Sequence, residues 1–177
     1  MNIMFLHEDP VEAARCHCVR HVHKQLVEAG QLLSTAHGIM WAAGQGQGVS
    51  PPWYRSYNPN GRFVKWLLET YGNRIWLYRM AEELGRIYPG DHVSWELIKK
   101  HTPYGCIPFT PPITRPAAAF NVSAFPENRE LLDGCVDIPS TVAAYREYYR
   151  RKNKLWSSKG HPMQWYGDGP EWMHQDS

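Results

Sequence analysis

The sequence predicts a mainly α protein, a compact single-domain helical bundle with a long proline-rich loop wrapped round it. Three observations lead there. Apolar residues recur at spacings of three and four through two long stretches, one beginning at Pro10 and one near Asn60. Prolines crowd into the stretch from His101 to Pro139, which excludes long regular helix there. The chain has 177 residues, 43% of them hydrophobic, enough for one domain to bury a core without disulfide or metal staples.

Taken in order, Asn2 to Leu6 is short and apolar, a brief strand or a buried N-terminal segment. Asp9-Pro10 opens a helix, with Asp9 as cap and Pro10 where a missing N–H does no harm. That helix should run unbroken to about His37 or Trp41, where Gly38 and then Gly44-Gln45-Gly46-Gln47-Gly48 end it in a loop with a mobile tip. Asn58-Pro59 repeats the capping arrangement. A second helical stretch from about Asn60 to Tyr88 places Phe63, Leu67, Tyr71, Ile75, Met80, Leu84 and Ile87 on its apolar side, with Gly72-Asn73 as the point of bending or division. A short helix spans about His92 to Lys100. The wrapping loop holds Ile107, Phe109, Phe120 and Phe125 as anchors, and Ser140 caps a final helix to about Trp156. With no internal repeat and no boundary signal, residues 1–177 form one domain: an N-terminal segment and first helix (1–41), central helices (58–100), the loop (101–139) and a basic, aromatic C-terminal part (140–177).

Charge and composition exclude little. A formal net charge of +2 does not argue for nucleic acid by itself, whereas eight Trp and ten Tyr suit either a core or a stacking platform. No apolar run approaches the roughly 20 residues needed to span a bilayer, so no membrane partner is expected. The N-terminus lacks the basic start and apolar core of a signal peptide. Cys16, Cys18, Cys106 and Cys135 form no disulfide framework; free thiols and a cytoplasmic location are expected.

A helical wheel at about 100° per residue separates two faces of the first helix. Val11, Cys18, Val22, Leu26, Ala29 and Leu33 form the core side. His17, Arg20, His21, Lys24, Glu28 and Gln31 share an arc of their own. A solvated face is one reading of that arc, but Glu and Lys alone would serve water equally well. The second reading is a catalytic or binding site: Arg20, His21 and Lys24 as an anion pocket, Glu28 or His17 as base. A third uses the i, i+4 spacing of His17 and His21 for a metal ion, although no HExxH or CxxC pair supplies further ligands. His17, His21, Lys24 and Glu28 are thus the catalytic candidates, with Arg20, Gln31, His37 and Asn58 as candidates for binding substrate or phosphate. No cofactor is implied.

The segment from Thr141 to Gly160 is the most basic in the chain. Its Arg146, Arg150, Arg151 and Lys154, interleaved with Tyr and Trp, suit contact with phosphates and stacking on bases. A plain amphipathic helix, with Tyr145, Tyr148, Tyr149 and Trp156 in the core, accounts for the same pattern.

Asp9-Pro10, Ala13-Ala14, His17-Cys18, His21, Lys24, Glu28 and Gln31-Leu32-Leu33-Ser34-Thr35-Ala36-His37 together resemble a family of small uncharacterised bacteriophage proteins. The middle and C-terminal helical stretches follow it in outline. The overall plan also resembles the pyrimidine-dimer DNA glycosylases, compact helical enzymes that act from a free N-terminal amine and a helix-borne Glu. Two features depart from them: Asn2 would hinder removal of the initiator Met, and their Glu would fall near His23 or Lys24, a turn before Glu28. The glycosylase resemblance implies DNA binding and access to an extruded pyrimidine base; the phage resemblance, with the stripe on the first helix, points to a DNA-base-directed enzyme in the cytoplasm of an infected bacterium. Its expected activity is a transferase that places an amino acid on activated 5-hydroxymethyluracil, that is, thymine hypermodification. Double-stranded DNA and a free amino acid are its implied partners. A glycosylase for a damaged or modified pyrimidine, and a non-enzymatic DNA-binding or host-interaction protein, are the alternatives.

Overall fold

In the computed structural model, residues 2–45, 52–54, 57–105, 107, 113–120, 122–123 and 125–174 are described. The mobile tip expected in the Gly/Gln loop, Cys106 and Phe109 lie outside them. Among the described residues there are seven α-helices, a single 3-10 turn at Glu171–Met173 and no strand. None of these helices is long and apolar enough to cross a membrane.

Asp9 caps α1 (Pro10–Arg15), its carboxylate accepting from the Val11 and Glu12 N–H groups. The expected continuous first helix then breaks. Residues 16–18 leave the helical path, and α2 (Val19–Ala42) restarts from an extended Cys18. The break resets the wheel, so His17 leaves the face that carries His21. It also lets α1 pack on α4 while α2 runs through the middle of the bundle against α3, α4 and α5.

The second stretch divides at Thr70, slightly before the expected Gly72-Asn73. It yields α3 (Arg62–Glu69) and α4 (Tyr71–Ile87), with the Thr70 side chain capping α4. Because α4 starts anew, Tyr71 is 46% exposed instead of joining the core with Phe63, Leu67 and Ile75. His92 caps α5 (Val93–His101). The described part of the wrapping loop contributes buried Ile113, Ala118 and Phe120 before α6 (Asn128–Asp133). Asp137, not Ser140, caps α7 (Ile138–Ser157); Ser140 is the other half of the capping box.

Residues 2–6 are not a strand, and all but Asn2 are buried. Ile3, Met4, Phe5 and Leu6 are essentially inaccessible, and Phe5 stacks on Trp76 at 3.7 Å between ring centroids. With no sheet to pair in, this backbone takes its hydrogen bonds from side chains. Gln25 Oε1 accepts from Met4 N (3.1 Å), Gln25 Nε2 donates to Asn2 O (2.8 Å), and Arg146 Nε donates to Leu6 O (2.9 Å). The N-terminal segment is therefore fastened between α2 and α7, and it sets the distance between them.

Candidate functional site

Where α2 begins, it faces the middle of α7 across large side chains. Cys18 N donates to the Tyr149 hydroxyl at 2.9 Å, and the same oxygen lies 2.6 Å from His21 Nδ1. On the other edge of that ring, His21 Nε2 lies 3.1 Å from Lys152 Nζ. An ammonium can only donate, so Nε2 must accept and the ring proton resides on Nδ1, directed at Tyr149. Tyr149 is fully buried and His21 is 2% exposed. Burial, reinforced by the nearby Lys152, lowers the His21 imidazole to about 2, so it stays neutral throughout the physiological range.

Lys152 is the unusual member. Burial, with Lys24 adding repulsion, lowers its amine to about 8. Its Nζ lies 5.1 Å from the centre of the Trp156 ring and 5.7 Å from that of Tyr148. These ring faces favour the ammonium, in the direction opposite to burial. Arg20 lies against the same Trp156 ring at 5.1 Å and is itself exposed. A groove of about 640 Å³ opens beside this cluster, with Tyr148, Lys152, Leu155 and Trp156 in its wall.

Glu28, 7% exposed, joins the cluster to the N-terminal segment. Its Oε2 accepts from Asn2 N (3.0 Å) and Gln25 Nε2 (3.2 Å). Oε1 faces Lys24 Nζ at 3.7 Å, leaving one carboxylate oxygen for other work.

Of the residues singled out from sequence, Arg20, His21, Lys24 and Glu28 come together here. His17 does not. It is 2% exposed, its Nδ1 lies 2.7 Å from Ala13 O, and Nε2 is buried without a partner. Burial lowers it to about 4. The His17–His21 metal pair is not formed: both rings lie against Tyr149, but His17 Nδ1 is turned to Ala13 O and both His21 nitrogens are engaged. Among the described residues no group of three or more His, Cys, Asp and Glu side chains is placed to hold a metal ion.

Gln31 is half-buried further along α2. His37 lies sixteen residues beyond His21, about 24 Å along the helix axis, where its Nε2 is 2.7 Å from the Tyr104 hydroxyl. Asn58 is exposed, and its side chain accepts from Asn60 N in a local turn. His37 and Asn58 thus stand apart from the cluster.

The basic residues of α7 are mostly engaged within the protein. Arg146 reaches Leu6 O and lies over Trp172; Arg150 donates twice to Trp172 O, at 3.1 and 3.0 Å. Arg151 binds Glu147 and Glu130. These three guanidinium groups fasten the N-terminal segment, the tail and α6 to α7, whereas Lys154 is exposed.

Tyr149 and Trp156, which the sequence reading named only as core of an amphipathic helix, and Lys152, which it did not name, also belong to the cluster. A signal for Lys152 was present: on the α7 wheel it falls between Tyr148 on one side and Tyr145, Trp156 and Tyr149 on the other, a lysine within an aromatic stripe. Compared with protein-family models, with curated proteins and with solved structures, the chain finds no match.

Proposed function

We propose that this cluster is the active site of a DNA-base-directed enzyme, a transferase that joins an amino acid to phosphate-activated 5-hydroxymethyluracil. The observation that carries the reading is that Arg20 and Lys152 both lie on the Trp156 ring, Lys152 also against one neutral histidine, with Lys24 paired to Glu28 beside them. A flat base with a phosphate a few atoms away needs these two features side by side.

In the reaction the amine nitrogen of the incoming amino acid attacks the methylene carbon on C5 of the base. The carbon–oxygen bond breaks, and phosphate leaves with the bonding pair. Arg20 and Lys24 stabilise the charge that develops on the departing phosphate. Glu28 Oε1, the carboxylate oxygen not saturated by backbone and amide donors, accepts the proton shed by the new C–N centre. Trp156 offers a stacking face to the base once Arg20 or Lys152 leaves the ring for the phosphate.

The test is mass spectrometry of nucleosides from duplexes carrying thymine, 5-hydroxymethyluracil or phosphorylated 5-hydroxymethyluracil, each incubated with the protein and pooled amino acids. The expected product is a nucleoside enlarged by an amino acid, formed from the phosphorylated duplex alone. Release of a free base would replace this reading with a glycosylase. Unchanged DNA that binds with strong salt dependence would replace it with a DNA-binding protein.

A further inference from the structure

Lysines and arginines on a surface helix ordinarily point to water or pair with carboxylates, as Arg150 and Arg151 do on α7. Lys152 points the other way. It occupies the side of α7 that carries Tyr145, Tyr149 and Trp156, and among the described residues its hydrogen-bond partner is an imidazole nitrogen, not a carboxylate. A carboxylate would hold Lys152 as ammonium. A neutral imidazole does not: its Nε2 accepts one N–H equally from an ammonium or from a free amine, and in the latter case leaves the lone pair of Nζ available. The tautomer this requires is held by Tyr149 on the far side of the ring.

A lysine desolvated by apolar surroundings and placed near a second cation is the arrangement that activates an amine for imine formation. Here burial supplies the first condition, outweighing the opposite pull of the Tyr148 and Trp156 ring faces, and Lys24 the second. Access is through the groove in whose wall Lys152 lies. Arg20 reaches the same Trp156 ring from an adjoining hollow that also holds Cys18 and His161, and an anionic group of the ligand would rest there.

We propose that Lys152 is an amine nucleophile that forms an imine with an aldehyde bearing a phosphate a few atoms away, the phosphate lying on Arg20 and Lys24. The lone pair of Nζ attacks the carbonyl carbon to give a carbinolamine. The carbon–oxygen bond then breaks, a C=N bond remains, and the two amine hydrogens leave with the oxygen as water. No oxidant or further reactant enters. Two sources offer this chemistry, a free sugar phosphate and an abasic site in DNA. The inference uses the proposed active site but does not depend on the transferase reading, because its readout is a covalent adduct and not a modified nucleoside.

The full-length protein is incubated at pH 7.5 with glyceraldehyde 3-phosphate, with glyceraldehyde, or with a duplex containing an abasic site, each in the presence of borohydride. The reduced adducts are then located by peptide mass spectrometry. Lys152 is expected to be labelled about tenfold or more faster than exposed Lys65 and Lys159, and faster by the phosphorylated aldehyde than by glyceraldehyde. Adducts with the free sugar phosphate, with the duplex, or with both support the proposal and identify the source. Lys152→Arg keeps the positive charge and should lose the fast adduct while melting as the parent does; His21→Ala should slow labelling of an otherwise folded protein. Labelling of Lys152 no faster than of Lys65 and Lys159 with every probe, or a fast adduct that survives in Lys152→Arg, overturns it.

Discussion

Acidification from pH 7.5 to 5.5 should destabilise the fold by about 4 kcal/mol, and three histidines account for it. His17, His21 and His37 are 2%, 2% and 0% exposed. Burial lowers His17 and His37 to about 4 and His21 to about 2. In the unfolded chain each returns to about 6.5. The folded values lie below the unfolded ones, so between them the unfolded state binds more protons and stability rises with pH. The contribution is fully present above about pH 6.5 and is lost as pH falls toward the folded values. At pH 5.5 an unfolded histidine is about nine-tenths protonated and a folded one scarcely at all, a difference of about 1.4 kcal/mol each. The result hardly changes if a folded value moves by a unit. His92, also lowered by burial, acts in the same direction.

Scanning calorimetry at fixed ionic strength would measure the effect. For a domain of this size, 4 kcal/mol corresponds to a fall in Tm of about 8–16 °C. Replacing His37 by Gln should reduce the dependence of stability on pH by about a third of the total. A Tm that moves by less than about 3 °C between the two pH values would refute the reasoning, because it would mean that these rings are protonated or solvated in the folded state.

Three further outcomes follow from local geometry. A Cβ at Gly85 would stand 2.7 Å from Cγ and Cδ1 of Trp95, where α4 and α5 approach, so Gly85→Ala should lose about 1–2 kcal/mol in urea melts despite the better helix propensity of Ala. Asp137→Ala removes the capping box of α7 and should cost about 1 kcal/mol, read as a lower urea midpoint with an unchanged slope. Glu28→Gln retains an oxygen acceptor for Asn2 N but removes the base; turnover in the nucleoside assay should fall by about 10²-fold or more with Tm nearly unchanged, whereas undiminished turnover would remove Glu28 from the reaction.

The helical class was legible because periodicity is local and survives in the sequence. The positions of the breaks were not. Nothing in Cys16-His17-Cys18 announces a helix end, since neither Gly nor Pro is present; the chain turns there because α1 packs on α4, Cys18 N is taken by Tyr149 and Val19 N by Gln164 O. His17 therefore lies off the α2 wheel that carries Arg20, His21, Lys24 and Glu28, although its ring still meets Tyr149. Asp137 was missed as cap because Ser140 meets the same propensity, and only geometry shows that the two act as one box. Lys152 was passed over for a different reason. Its neighbours on the wheel are aromatic, and a count of charge along the segment treats an inward lysine and an outward one alike.

That distinction can be measured, since a lysine kept for its chemistry and one kept for the fold respond oppositely to removal. With its amine lowered to about 8 by burial, Lys152 opposes folding at neutral pH by about 2 kcal/mol once its partial exposure is allowed for. Lys152→Met keeps the length and apolar stem, removes that penalty, and leaves His21 Nε2 without a donor at a cost of about 1–2 kcal/mol. The variant should therefore melt at or slightly above the parent at pH 7 while losing the imine adduct. The sign of the pH dependence supplies a second check. The folded value of Lys152 lies below its unfolded value near 10.4, so the penalty is full below about pH 8 and is relieved as pH rises from 8 toward 10. The parent should then gain stability relative to Lys152→Met over that range. A variant that melts several degrees below the parent at pH 7, with the gap unchanged at pH 10, would make Lys152 a structural residue whose ammonium the aromatic faces of Tyr148 and Trp156 stabilise.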